Sequence, residues 1–234
     1  MTGKALTQSE LDAFHRQGYL RLNGLHSKAR METLKEKILR ELSRLRIWDG
    51  GKSVGGSLQS LTPFQQIAKL ASMVKVDVHD VLNTSEIHSA IVGLTDRTPS
   101  AEQGSQLLLS LAHQGRWSLN SLNWHVDIAS TPVDRIPGVQ AFYLIDDVVP
   151  HGGATLALAR SHRMTAGGFS RLRVSLRRPV DIQEVLLASD TEIIEMSGQV
   201  GDVFLMDMRV LHTPSINASK NIRMMATTRF GLRS

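Results

Sequence analysis

Two stretches of the sequence carry residue types able to hold a metal ion. The first is Asn123-Trp124-His125-Val126-Asp127. On an extended strand, residues i and i+2 face the same side, so His125 and Asp127 can reach one ion while Val126 faces away. Alone the pair is weak evidence: with 9 His and 13 Asp among 234 residues, chance yields roughly half an H-x-D. The second stretch begins after the strand-like Val203-Phe204-Leu205-Met206, where His212 follows, with Arg223 eleven residues beyond it. Two imidazoles and one carboxylate make the facial triad of non-haem Fe(II) oxygenases, which leaves three positions on the iron open. A chelating 2-oxo acid fills two of them and O2 the third. The far carboxylate of that acid needs a cation.

Arg223 can be that cation. In Asn221 to Phe230, Ile222, Met224, Ala226, Thr228 and Phe230 share one face, and Arg223, Met225, Thr227 and Arg229 share the other. The first face suits packing under helices. The second places arginines inside a sandwich, which is costly without an anion. A carboxylate gripped by two parallel hydrogen bonds resolves that cost.

Positioning these residues falls to a chain of ordinary globular composition, 41% hydrophobic and 21% charged. Its length suits one domain over residues 1–234, with 1–103 as a mainly helical support and 104–234 as the β core. The absence of cysteine excludes disulfides, thiolate metal sites and cysteine nucleophiles. The start has no apolar signal region, and no stretch approaches the ~20 apolar residues of a membrane span. The expectation is a cytoplasmic protein with no membrane or nucleic-acid partner. A net charge of +5 favours an anionic small molecule only mildly.

Thr7 to Glu10 has capping-box spacing, so a helix follows with Leu11, Phe14 and His15 on one side and Gly18 at its end. Tyr19 to Leu22 alternates as a strand. A helix from Ser27 carries Met31, Leu34, Ile38, Leu42 and Leu45 as one stripe. Gly50, Gly51, Gly55 and Gly56 read as a loose connection. Thr62-Pro63 opens another helix with Phe64, Ile67, Leu70 and Ala71, and more helix is expected between Asp77 and Gly93. Strand candidates then crowd together at 106–111, 117–126, 138–146, 154–159, 191–196, 202–208 and 222–230. They lie too close for crossover helices, which indicates an antiparallel sandwich or jelly roll. The basic run Arg171 to Arg178 reads as a solvated loop or strand edge, with an anion-binding arm as the alternative.

The order H-x-D, distal His, then Arg resembles the phytanoyl-CoA dioxygenase family of Fe(II)/2-oxoglutarate-dependent oxygenases. Phe14 to Leu20 resembles its F-x-x-x-G-Y-L, Trp124 to Asp127 its W-H-x-D, Leu144 to Asp147 with Gly152 to Thr155 its strand and turn, and Arg160 to Arg163 its S-H-[RK]. The resemblance spans about residues 8 to 230. It implies an α+β, mainly β, cupin-like double-stranded β-helix with N-terminal helices packed on one sheet. It implies Fe(II) on His125, Asp127 and His212, and 2-oxoglutarate on Arg223. It further implies conversion of 2-oxoglutarate and O2 to succinate and CO2, with hydroxylation of an unactivated carbon as the default outcome. Asp127 argues against the related halogenases, which have a small residue there. Where the family carries Ser two residues after the distal His, this chain has Thr213-Pro214-Ser215, and Thr213 or Ser215 is expected to supply that hydroxyl.

Gln140 and Phe142 share a strand face and are candidates to contact cosubstrate or substrate, with plain core as the alternative. Asn120 and Asn123 are candidate substrate contacts or turn residues. Arg229 is expected to meet a substrate anion or to close a salt bridge at the sheet rim. Trp124 and His162 read as structural. Competing readings are a non-catalytic binder of a metal or 2-oxo acid, a related desaturation or cyclisation, and a cofactor-free metal hydrolase or isomerase, which leaves Arg223 unexplained.

Overall fold

The computed structural model describes residues 5–53, 56–120, 122–129, 135–176 and 182–233. Thr7 and Glu10 close a reciprocal capping box, starting α1 (Gln8–Gln17). Phe14 is buried and His15 is exposed, so the apolar side of α1 excludes the histidine. Gly18 ends the helix at φ 83°. Glycine is required there twice over, because a Cβ would also lie 2.5 Å from Nδ1 of His162. β1 (Tyr19–Leu22) follows, and then α2 (Lys28–Arg44), capped by Ser27, with Met31, Leu34, Ile38 and Leu42 buried. Where a loose connection is expected, β2 (Trp48–Asp49) and β3 (Lys52–Ser53) form a hairpin turning on Gly50 and Gly51. Gly55 lies outside the described residues, and Gly56 opens α3 (Gly56–Gln59).

Thr62 and Gln65 form a second capping box at α4 (Pro63–Met73). The helix expected over 77–93 is divided into α5 (His79–Leu82) and α6 (Ser85–Thr95). Asn83 breaks it, because its amide bonds to His79 on one side (3.2 Å) and His88 on the other (2.7 Å). The strands then run β4 (Thr98–Ser100), β5 (Ser105–Ser110), β6 (Gly138–Leu144) and β7 (Thr155–Ala159). After α7 (Ala166–Ser175) and α8 (Ile182–Ala188) come β8 (Glu192–Glu195), β9 (Val203–Asp207), β10 (His212–Pro214) and β11 (Arg223–Arg233).

The strand pairs are antiparallel. A major sheet runs β1-β9-β6-β11-β4, with β5 also on β11, and a minor sheet runs β10-β7-β8. This is the cupin-like jelly roll. The expected alternation in β11 holds: Met224, Ala226 and Phe230 pack with Phe14, Ile38, Leu70 and Ile91 of the helices, while Met225 packs between the sheets with Phe142, Ala157 and Met206. The minor sheet's outer face is covered by Trp124, Leu172 and Leu176 over Leu156 and Leu158. The helical first hundred residues also supply β1 and β4 to the major sheet.

Two expectations fail. The described residues of 117–126 form no strand; their one ladder contact is an isolated bridge from His125 to His212. Local bonds compete with the ladder here, as the Asn120 N–H donates to the Ser118 hydroxyl at 3.0 Å. The basic run is not a loop or strand edge either. Thr165 caps α7, and Leu172 and Leu176, four apart, bury one face of that segment. Arg177 and Arg178 lie outside the described residues.

His26 is buried among the helices with its ring 5.7 Å from that of Tyr143. Burial, reinforced by the charge of Arg30, pushes its imidazole down to about 4. Between pH 6.5 and 4 the unfolded chain binds this proton and the folded chain does not, so stability falls as pH drops through that window. The expected contribution is up to about 1.4 kcal/mol per pH unit. His26→Phe should flatten the slope of unfolding free energy against pH, read by urea titration, by about that amount; an unchanged slope would contradict the assignment.

Candidate active site

The site is built on the turn that links β9 to β10. The Asp207 carboxylate accepts from the backbone N–H, Nε and Nη2 of Arg209 at 2.9, 3.0 and 2.7 Å, and both side chains are buried. The Val210 N–H closes the turn on the Asp207 carbonyl at 2.9 Å. The segment 122–128 lies along this platform. His125 and His212 exchange backbone hydrogen bonds of 2.9 Å each, and the N–H groups of Asp127 and Ile128 both donate to the Met208 carbonyl at 3.1 Å. His125 and Asp127 therefore converge from a bridged loop rather than from a pleated strand. Asp207 and Arg209 went unnoticed in the sequence, where D-x-R was the available signal.

His125, Asp127 and His212 each offer a ligand atom within 4.8 Å of the others. Their histidine rings are 4.4 Å apart. Nδ1 of His125 lies 2.9 Å from the Asn123 carbonyl, and Nδ1 of His212 lies 3.0 Å from the Val210 carbonyl. A carbonyl only accepts, so both Nδ1 atoms carry the proton and both Nε2 lone pairs are free. His212 is fully buried, and burial, with the charge of His125 adding to it, pushes its pKa down to about 4. It is neutral at physiological pH, as a ligand must be. Oδ2 of Asp127 is buried with no protein partner and lies 3.9 Å from Nε2 of His212. Two free imidazole lone pairs and an orphaned carboxylate oxygen fit a divalent cation with mixed N/O preference.

A cavity of about 170 Å³ opens at these residues. Gln140 and Phe142 of β6 line it, as does Arg229 of β11. Oε1 of Gln140 is buried without a partner, so the cavity lacks one donor that a ligand would bring. The opposite wall, which no sequence motif marks, is made by Phe64, Ile67 and Ala68 of α4. Gln106, Thr155 and Thr227 also line the cavity without such a mark. Thr227 was legible in principle, since it shares the strand face of Arg223 and Arg229. Nothing in the sequence brings α4 to the site.

Arg223 does not line this cavity. It lies on the same inward face of β11, 2% exposed. Nη1 donates to the Gly153 carbonyl, while Nε and Nη2 have no partner. Burial lowers its pKa to about 9, which still leaves it cationic at neutral pH. Arg229 is tied to Asp127, with Nη2 3.1 Å from Oδ1, which places the rim salt bridge at the metal set itself.

The remaining expected residues lie elsewhere. Thr213 points to the face of β10 opposite His212 and Pro214, and its hydroxyl donates to the Pro214 carbonyl. The Ser215 hydroxyl donates to the Ala154 carbonyl at 2.7 Å. Asn120 and Asn123 are exposed and outside the cavity lining; Asn123 contributes its carbonyl to orienting His125. Trp124 packs outside the minor sheet. Nε2 of His162 donates to the His15 carbonyl near the end of α1 at 3.1 Å, since a carbonyl only accepts.

The phytanoyl-CoA dioxygenase family profile matches residues 14–225. No curated protein matches the sequence significantly. Among solved structures, EctD from S. alaskensis, with 2-oxoglutarate and 5-hydroxyectoine, is 19% identical, with 99% of this chain and 78% of that one covered at a TM-score of 0.62. The alpha ketoglutarate dependent carbocyclase SnoK from nogalamycin biosynthesis is 15% identical, with 99% and 87% covered and a TM-score of 0.60. The epimerase SnoN, in complex with Fe3+, alpha ketoglutarate and nogalamycin RO, is 18% identical, with 96% and 82% covered and a TM-score of 0.58.

A buried guanidinium with two orphaned nitrogens destabilises the ligand-free fold. Replacing buried ion pairs with well-packed apolar residues of similar volume is often neutral or stabilising by about 1–4 kcal/mol, and an unpaired buried charge has no attraction to lose. Arg223→Met should therefore raise the melting temperature of the ligand-free protein, read by differential scanning calorimetry. A drop of similar size would show that the charge is already satisfied in the fold.

Proposed function

The chain belongs to the phytanoyl-CoA dioxygenase family of iron- and 2-oxoglutarate-dependent oxygenases, and on that premise we propose that it hydroxylates an unactivated carbon of a small molecule. In that reaction 2-oxoglutarate and O2 become succinate and CO2. Iron would be held by Nε2 of His125, Nε2 of His212 and Oδ2 of Asp127, and when bound it supplies the activation of O2. Arg223 would take the far carboxylate of 2-oxoglutarate. The observation that carries this reading is the buried, half-partnered guanidinium of Arg223 on the strand face that runs down to the metal set. A site for a metal alone gives no reason to keep that charge.

The chain's own residues also bear on the outcome. Epimerisation needs a hydrogen donor on the face opposite to abstraction. The sequence has no cysteine, and neither Tyr19 nor Tyr143 lines the cavity. Hydroxylation needs no such group. The substrate would lie against the apolar wall of Phe64, Ile67 and Ala68, within reach of the Gln106 and Gln140 amides. With Arg229 occupied by Asp127, the polar groups left for substrate are neutral. The favoured substrate is compact and largely apolar, with hydroxyl or amide groups, rather than a strong anion. At about 170 Å³, the cavity is below the roughly 300–1,000 Å³ of usual ligand pockets. Part of the substrate would therefore extend past the exposed Phe64. Among the described residues no helix is long and apolar enough to cross a membrane.

The test is a panel of small molecules scored by succinate formed from 2-oxoglutarate under air with Fe(II). Stimulated turnover is expected from at least one compound. It should fall by 10³-fold or so in His212→Ala and Asp127→Ala, the order of loss seen when a key catalytic group is removed. Full turnover in either variant would refute the ligand assignment.

A further inference from the structure

The two histidines of the set are each oriented by a hydrogen bond from their own loop. Asp127 is oriented from a different element. Its backbone is pinned by the Met208 carbonyl, but that contact leaves χ1 and χ2 free, and the terminal torsion of an aspartate is broad. What fixes the carboxylate is Arg229 on β11, with Nη2 3.1 Å from Oδ1. Oδ2 is left buried, unpartnered, and 3.9 Å from Nε2 of His212. We propose that Arg229 is a positioning residue that holds Asp127 so that it meets the metal through one oxygen only; the inference rests on the metal reading above.

One-oxygen binding matters because a carboxylate that chelated through both oxygens would take one of the three positions that a 2-oxo acid and O2 require. Arg229 is well placed for this task. It pairs in register with Gln140 on β6, and it lines both the metal cavity and a wider groove of about 560 Å³ bordered by Ser100, Glu102 and Arg233. Asp127 lines the groove and stands beside His125 and His212, which line the cavity. The ion pair thus ties a groove-lining carboxylate to a residue shared by both spaces, and without Arg229 the carboxylate is free to swing toward the groove.

Arg229 acts on the metal in two opposed ways. Its charge repels a dication and so weakens binding, whereas its grip on Oδ1 preorganises a ligand and strengthens binding. Residues behind a metal ligand typically set affinity by 10–100-fold, and the proposal is that this effect wins. The two effects predict opposite signs when the side chain is removed.

The experiment titrates the metal-free, full-length protein with Co(II), following calorimetric affinity and the visible cobalt spectrum, for wild type, Arg229→Ala, Arg229→Lys and His212→Ala. Melting curves report folding. Arg229→Ala is expected to bind Co(II) at least tenfold more weakly with an altered spectrum, and Arg229→Lys to recover part of the loss. Equal or tighter binding by Arg229→Ala would overturn the positioning role, while loss of binding in His212→Ala would leave the metal reading standing. Failure of the wild type to bind Co(II) would instead overturn the metal reading. Should Arg229→Ala not fold, Arg229→Lys and Arg229→Gln carry the same comparison, since a role in charge alone predicts wild-type affinity for the lysine variant.

Discussion

A reciprocated pair of backbone hydrogen bonds, His125 to His212 and back, holds the candidate site together. It joins a loop with no strand structure of its own to the first residue of β10. Each bond is an ordinary contribution of about 1 kcal/mol. Their importance is geometric, because they fix two imidazoles of distant sequence at 4.4 Å. The same platform supplies the Met208 and Val210 carbonyls, which anchor Asp127 and set the tautomer of His212. The buried Asp207–Arg209 pair keeps that platform rigid. A buried ion pair is weak evidence for stability, but here it fixes the shape of the turn from which two ligands are aimed.

Around that bridge, the jelly roll separates two kinds of burial. Between β11 and the helices the contacts are aliphatic and self-sufficient. On the opposite face of the same strand sit Arg223, Thr227 and Arg229, none of which serves the core. Four buried polar atoms without a partner gather at or beside that face: two nitrogens of Arg223, Oδ2 of Asp127 and Oε1 of Gln140. Each is a cost to the empty fold and an offer to a ligand. The cations and acceptors are arranged in the way a metal with a dicarboxylate cosubstrate would require, which is why the family assignment and the local energetics agree.

Much of this was legible in the sequence because it depends on residue type and short periods. The two-residue period of Arg223 to Phe230 revealed which side chains face inward, and Thr7, Ser27 and Thr62 marked helix starts that the structure keeps. The failures have physical causes. Residues 117–126 looked strand-like, but the Ser118 hydroxyl and the His125 ring bond the local backbone there. The run Arg171 to Arg178 looked solvated because its charges hid the spacing of Leu172 and Leu176. Asn120 and Asn123 stand out by proximity along the chain and Thr213 and Ser215 by the family resemblance, yet these residues face solvent or bond backbone carbonyls. The wall from α4 and the Arg229–Asp127 pair are products of long-range packing, which no local pattern encodes.

The central claim is that His125, Asp127 and His212 hold a metal with adjacent positions open to a chelating 2-oxo acid. It is tested most directly by the visible spectrum of the anaerobic Fe(II) protein titrated with 2-oxoglutarate. Chelation of the metal by the keto acid should produce a new charge-transfer band that saturates at one equivalent, whereas succinate, which lacks the keto group, should produce none. An Fe(II)-loaded protein whose spectrum is unchanged by 2-oxoglutarate would contradict the account.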